Sequence, residues 1–87
     1  MGTTYRYRPD VVTALAEHGI RPSSTTPPER ARELVNDLYS YELRRLRAQL
    51  RRGEIARRDY AAVVAEARDR YPLLALPLHH WVEPGER

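Results

Sequence analysis

A chain of 87 residues with 41% hydrophobic residues, 31% charged residues and a formal net charge of +3 can form one small domain with a thin core. It has no cysteine, which excludes disulfide bonds and thiolate metal sites. It also has neither the roughly 18–20 apolar residues of a membrane span nor the apolar run of a signal peptide. We therefore expect a cytoplasmic bacterial protein whose core gains stability from self-association or from a larger assembly.

The first predicted helix runs from about residue 9 to residue 18. Residues 1–8 show no helical periodicity, so a flexible tail is expected before it. Pro9 suits a first helical turn, and Gly19 favours the left-handed conformation that ends a helix. Val11 and Leu15 are four residues apart, so they lie on one face and predict packing against another element.

The second predicted helix is the longest, from about residue 27 to residue 52. Thr26 is expected to cap it, with Pro27 and Pro28 in the first turn and Glu29 completing a capping box. Gly53 is expected to end it. Its apolar stripe is longer than the next helix can cover, so part of it must meet another element or another chain. The stripe comprises Ala31, Leu34, Val35, Leu38, Tyr39, Leu43, Leu46 and Leu50, with Tyr41 at its edge.

The third predicted helix runs from about residue 57 to residue 70 and packs antiparallel on the second, forming a long helical hairpin. Pro72 ends it, because the residue before a proline is displaced from helical geometry. Residues 73–82 are apolar and contain a proline, which predicts an extended segment or a single turn, and residues 83–87 are expected to be flexible. The predicted fold is therefore all-α, a single domain of three helices with an extended apolar C-terminal segment.

The junction between the second and third helices carries the most specific local pattern. Ala56 is expected to cap the third helix, with Ile55 and Tyr60 in the two positions of a hydrophobic staple. Leu46, Leu50, Gly53, Ile55, Asp59 and Tyr60 match in order the pattern of the short bacterial helical hairpin called SHOCT. Residues 43–71 thus resemble this family, although Ala56 replaces its usual Thr or Ser cap, at a cost of about 1 kcal/mol. The resemblance implies association or ligand contact and no catalytic residues.

A cluster of arginines surrounds this junction, with Glu54 as the only acid between Arg44 and Arg58. All fifteen basic residues are arginine, which is typical of a GC-rich coding sequence. Three interpretations remain open: a solvated surface, contact with an acidic protein, or contact with nucleic acid phosphates. We call the candidate residues the basic ridge: Arg44, Arg47, Arg51, Arg52, Arg57 and Arg58.

The apolar C-terminal segment is a second candidate site. It either folds back to cover the hairpin or anchors a protein partner, since apolar patches with an aromatic residue are common at interfaces. The candidate partner-binding residues are Leu73, Leu74, Leu76, Leu78 and Trp81.

No pattern of catalytic or cofactor-binding residues is apparent. His79 and His80 are adjacent and lack an acidic partner at metal-ligand spacing, the serines lack a nucleophile elbow, and there is no glycine-rich phosphate loop. We expect no enzymatic activity, no metal and no cofactor. The sequence favours a non-catalytic protein–protein interaction module, as an accessory or assembly subunit of a larger bacterial complex. The alternative is a small nucleic-acid-binding protein that uses the basic ridge.

Overall fold

The fold is all-α, as predicted. The computed structural model describes residues 2–84, in which helix α1 spans Pro9–Glu17, α2 spans Pro28–Arg51 and α3 spans Arg57–Asp69. Each predicted helix end is confirmed within one residue. Of the flexible end predicted for residues 83–87, residues 85–87 lie outside the described residues, as does Met1, whereas the Glu83 amide donates to the Arg6 carbonyl at 2.8 Å.

Two glycines end α1 and α2 as predicted. Gly19 and Gly53 both have a φ of 78°, a left-handed conformation that side-chain-bearing residues adopt only under strain. After each glycine the next amide reaches back to the last turn of the helix. The Ile20 amide donates to the Leu15 carbonyl at 3.0 Å, and the Glu54 amide donates to the Gln49 carbonyl at 2.9 Å. Both ends are therefore Schellman motifs, which satisfy carbonyls that the helix leaves unpaired.

The predicted capping box at the start of α2 is wrong. Pro27 occupies the N-cap position and makes no side-chain cap. The Thr26 hydroxyl instead accepts a hydrogen bond from the Ser23 amide at 3.0 Å, within the turn that precedes the helix. Local side-chain bonds of this kind compete with helix capping. The helix relies instead on Pro28, which has the backbone angle of a first turn and is buried.

The main core lies at one end of the molecule, which we call the head (residues 2–39 and 71–84). There α1 and the first half of α2 pack against the C-terminal segment. In the rest of the molecule, which we call the hairpin (residues 40–70), the second half of α2 packs against α3 alone, with no third layer. The molecule is consequently elongated, with extents of 55 × 19 × 17 Å. The buried core residues of the head are Val11, Leu15, Ala31, Val35, Tyr71, Leu73 and Trp81.

The C-terminal segment is more compact than the extended segment or single turn that the sequence predicts. It forms two short 3-10 helices, Pro72–Ala75 and Leu78–His80, with Leu76 and Pro77 extended between them. The Trp81 indole N–H donates to the Leu76 carbonyl at 3.1 Å. This bond satisfies the one polar atom of a side chain that is fully buried, so the segment folds around its tryptophan.

The N-terminal residues are also held in place, although the sequence predicts a flexible tail over residues 1–8. The Tyr5 amide donates to the Ser24 carbonyl at 2.7 Å, and an isolated antiparallel bridge pairs Tyr7 with Val82. The Arg8 amide donates to the Trp81 carbonyl at 3.0 Å. The bridge and the Arg8–Trp81 bond join the N-terminal residues to the C-terminal segment, a contact between distant residues that helical periodicity does not reveal.

Tyr7 makes the head sensitive to alkaline pH. Its hydroxyl donates to the Thr26 carbonyl at 2.7 Å. Burial, aided by the nearby charges of Glu29 and Tyr5, raises the pKa of Tyr7 from 10.0 to about 12. Because the folded-state pKa is the higher one, the neutral phenol stabilises the fold below pH 10.0, and this contribution is lost as the pH rises to about 12.

We therefore expect Tyr7→Phe to be less stable than the wild type by about 1 kcal/mol at neutral pH, because the hydrogen bond is lost. The difference should shrink as the pH approaches about 12. Urea denaturation across this pH range measures both effects, with Tyr41→Phe as an exposed control. A constant difference between wild type and Tyr7→Phe at all pH values would contradict the assignment.

Candidate interaction site

The hairpin has a much thinner apolar interior than the head. Leu46 of α2 and Ala67 of α3 are the buried apolar residues within residues 40–70, with 6% and 0% of their surface exposed. Two helices alone enclose only a narrow seam, so the other apolar side chains along it keep contact with solvent. These half-buried residues are Leu43, Leu50, Ile55, Tyr60, Val63 and Val64.

The chain reversal between α2 and α3 follows the predicted local pattern. Ala56 is the N-cap of α3, with extended backbone angles and no side-chain cap. Ile55 and Tyr60, the predicted staple positions, are both half-buried. Asp59 lies in the first turn, where its negative charge favours the helix dipole.

One cross-helix ion pair fastens the end of the hairpin nearest the head. Arg70, just after α3, donates to the carboxylate of Glu42 on α2. Because Arg70 follows α3 directly and lies 28 positions from Glu42 in the sequence, this pair links the two helices.

The basic ridge occupies the opposite end of the hairpin, which we call the tip (residues 44–58). All six of its arginines are exposed, and so is Arg45. Among residues 2–84 the tip contains a single ion pair, in which Arg52 contacts Glu54 at 2.7 Å. This hydrogen bond lowers the pKa of the Glu54 carboxyl below its usual value. The structure therefore groups the arginines, as the sequence predicts, and leaves most of their guanidinium groups to solvent.

Charge is distributed very unevenly along the chain. Seven arginines and Glu54 give the tip a formal charge of +6, and because the whole chain carries +3, the rest carries −3. Arg44, Arg47 and Arg51 follow each other at spacings of three and four residues, so they share one face of α2. Like charges at these spacings are destabilising, so the arrangement does not serve helix stability.

Helix dipoles account for only part of the ridge. Arg51 and Arg52 lie at the C-terminal end of α2, where positive charge is favourable. Arg57 and Arg58 open α3, where the dipole disfavours positive charge. Fold stability alone therefore does not explain why positive charge collects on both sides of the turn.

A separate apolar surface lies on α2 where the head meets the hairpin. Leu34, Leu38 and Tyr41 share a helix face at spacings of four and three residues, and we call them the α2 strip. Leu34 is half-buried, whereas Leu38 and Tyr41 have 39% and 63% of their surface exposed. The sequence places Leu38 in the buried stripe and Tyr41 at its edge. The apolar stripe of α2 is wider than the elements packed against it can cover. This excess width is the sequence signal that indicates the α2 strip.

The sequence leaves two interpretations of the C-terminal segment, and the burial of its residues favours folding back onto the helices over anchoring a partner. Leu73 is 4% exposed and Trp81 is fully buried, so neither presents a surface to a partner. Leu74, Leu76 and Leu78 are half-buried and pack against the same core. The segment covers α1 and the first half of α2, because those helices alone leave the head core open.

A shallow groove of about 430 Å³ lies where α3 meets the C-terminal segment. Tyr39 and Tyr71 line it, with ring centroids 5.1 Å apart, and His18 stacks on Tyr71 at 4.5 Å. These rings pack as core aromatics. Arg68 and Asp69 supply the charged groups of its rim.

Within residues 2–84 there is no group of three or more side chains that could hold a metal ion, and no helix long and apolar enough to cross a membrane. His79 and His80 lie edge to face with ring centroids 4.3 Å apart, and both are exposed. Of the three large hydrophobic residues that are exposed within residues 2–84, two lie in the α2 strip, and the tip groups seven exposed arginines.

No protein-family model matches the chain, and no curated protein and no solved structure was found to be similar to it. What the protein does must therefore be inferred from its own surfaces.

Proposed function

We propose that this protein is a non-catalytic protein–protein interaction module, an accessory or assembly subunit of a larger cytoplasmic complex in bacteria. The observation that carries the proposal is the α2 strip. A leucine and a tyrosine that are 39% and 63% exposed lie side by side on a rigid helix of a protein with a small core. Tyrosine is enriched at the centres of protein interfaces, where its ring is buried and its hydroxyl bonds to the partner.

The position of the strip suits a docking surface. It lies near the middle of the 24-residue helix α2, which the head holds at one end and α3 holds at the other. A rigid helix presents contact residues at a lower cost in conformational entropy than a loop does. Its spacing of four and three residues is that of the anchors by which a helix packs into a groove or against another helix.

The sequence resemblance of residues 43–71 to SHOCT hairpins supports the same role, since it implies association or ligand contact. The hairpin seam supports it as well. Leu50, Tyr60 and Val64 retain solvent contact between two helices, and a further helix laid along them would complete a bundle.

Site-specific photo-crosslinking in the native cells tests the proposal. A benzophenone amino acid replaces Asp37, which is exposed and lies between members of the strip. We expect discrete protein adducts from this position, and their loss when Leu38 and Tyr41 are both changed to serine. An adduct of twice the chain mass identifies a second copy as the partner.

The matched control places the same crosslinker at Ala65, an exposed residue of α3 away from the strip. Adducts that are no stronger at position 37 than at position 65, or that persist in the double serine variant, would show that the strip is not a contact surface. Circular dichroism of the double variant establishes that its helices are intact.

A further inference from the structure

The tip of the hairpin is a surface of charge without an apolar centre. Among residues 2–84 the large hydrophobic residues that are exposed are Val12, Leu38 and Tyr41, and none lies between Arg44 and Arg58. Stable protein interfaces have an apolar core that is depleted of charge. A surface composed of exposed guanidinium groups instead suits a partner that is itself a dense array of negative charge.

From this arrangement we infer that the tip binds the phosphodiester backbone of double-stranded nucleic acid, independently of base sequence. This goes beyond the proposed protein-interaction role and does not depend on it, because the α2 strip is not involved. Guanidinium groups form bidentate hydrogen bonds with phosphate oxygens, which makes arginine well suited to this contact.

The dimensions of the ridge fit a duplex. From Arg44 to Arg51 the axis of α2 rises about 10.5 Å at 1.5 Å per residue. Duplex DNA carries one phosphate per roughly 1.7 Å of axis when both strands are counted, so about six phosphates, about three on each strand, lie within the same distance. Arg57 and Arg58 add positive charge from the other side of the turn. The tip therefore offers about five guanidinium groups to the phosphates of the two strands.

The chemistry also indicates what the tip does not read. Binding of single strands relies on aromatic side chains on which bases stack, and residues 44–58 contain none. Tyr60, just after the tip, is half-buried in the seam, and the exposed Tyr41, just before it, belongs to the α2 strip. The exposed polar residues of the tip are almost all arginine, and arginine–phosphate contacts fix position without specifying sequence. Affinity should consequently depend strongly on salt and little on sequence.

The positive charge of the tip lies at one end of an elongated molecule. The remainder of the chain carries −3, of which −2 lies in residues 40–43 and 59–70 of the hairpin, and the protein is 55 Å long. At physiological ionic strength charges are screened over about 8 Å, so the head does not neutralise the field at the tip. A polyanion therefore encounters the tip as a locally strong positive surface.

Fluorescence anisotropy with the full chain and a labelled duplex of about 20 base pairs tests the inference. For about five phosphate contacts, the slope of log affinity against log salt should be about −4.5. The affinity should then fall about 500-fold between about 50 and 200 mM salt. A variant with Arg47, Arg51 and Arg58 changed to glutamine should bind more weakly, with a slope of about −1.8.

The matched control changes Arg6, Arg21 and Arg30, which are exposed in the head, to glutamine. It has the same net charge as the tip variant, and we expect its slope to stay near that of the wild type. Circular dichroism spectra show whether both variants are folded. Equal losses in the two variants would mean that net charge alone governs binding and would overturn the inference.

Further arms identify the source of the phosphates. Duplex DNA and duplex RNA of the same length present the same phosphodiester groups. The duplex that the protein binds with higher affinity is identified as the partner. Tighter binding to a single strand, equal binding to polyglutamate, or no binding to either duplex at about 50 mM salt would each overturn the inference. Polyglutamate binding in particular would assign the tip to an acidic protein.

Discussion

Replacing Trp81 by alanine is expected to lower the free energy of unfolding by about 3–5 kcal/mol. Native proteins have a total stability of roughly 5–15 kcal/mol, so this single change removes a large share of it. Trp81 is the largest fully buried side chain of the structure. Its removal leaves a cavity between α1, α2 and the C-terminal segment, and the small head has no second layer that can move in to fill it.

The loss extends beyond the side chain itself. The indole N–H holds the Leu76 carbonyl, and the backbone carbonyl of Trp81 accepts the amide of Arg8. Loosening position 81 therefore also weakens the Tyr7–Val82 bridge that joins the chain ends. We expect the urea midpoint to fall, together with the near-ultraviolet signal of the packed aromatic residues.

Tyr41→Ala is the matched control, because it truncates a large aromatic side chain that is 63% exposed. Its stability should stay within about 0.5 kcal/mol of the wild type. A Trp81→Ala protein of unchanged stability would contradict the core assignment and restore the sequence-based prediction that Trp81 anchors a partner.

The helix boundaries could be predicted because the interactions that set them are local. Gly19 and Gly53 end helices through hydrogen bonds that span five residues, and Pro72 excludes helical geometry one residue before it. Such signals are contained within a short stretch of sequence. The start of α2 was harder to predict, because the Thr26 hydroxyl can accept a hydrogen bond either from an amide of the helix or from the Ser23 amide in the preceding turn. The bond from Ser23 is the one that forms.

The packing position of the C-terminal segment could not be predicted, because it depends on contacts between residues that are distant in the sequence. An apolar run containing Trp81 fits a core or an interface equally well by composition. The distinction rests on the bridge from Tyr7 to Val82, two residues separated by almost the entire chain. It also rests on the space that α1 leaves uncovered on α2, which depends on the helix packing.

The tip could be predicted from the sequence more directly than the α2 strip. The arginines of the tip lie close together in the sequence, on both sides of Gly53. Any helical hairpin that turns at Gly53 therefore places them at one end of the molecule. The α2 strip depends on how much of a wide apolar stripe its neighbours cover. Periodicity places Leu38 with the core residues, and only the packing of α3 and of the C-terminal segment leaves it exposed.

The second substitution with a large expected effect on stability is Leu46→Ala, in the hairpin. This side chain is 6% exposed and is the buried leucine at the centre of the hairpin seam. We expect Leu46→Ala to destabilise the hairpin by about 2–3 kcal/mol, the lower part of the usual range for buried leucines, because water can enter a seam only two helices thick. Hydrogen exchange resolved by residue measures this effect.

In that experiment amide protection should fall most in the second half of α2 and in α3, while the amides around Val35 in the head core keep most of theirs. Leu38→Ala makes the same change on the same helix at a side chain that is 39% exposed, and it should alter protection little. If both variants lost protection equally, or if Leu46→Ala unfolded head and hairpin together, the hairpin would not be a separately weakened part of the fold. Selective loss in the hairpin would show that its stability rests on one narrow seam, which a partner helix could strengthen.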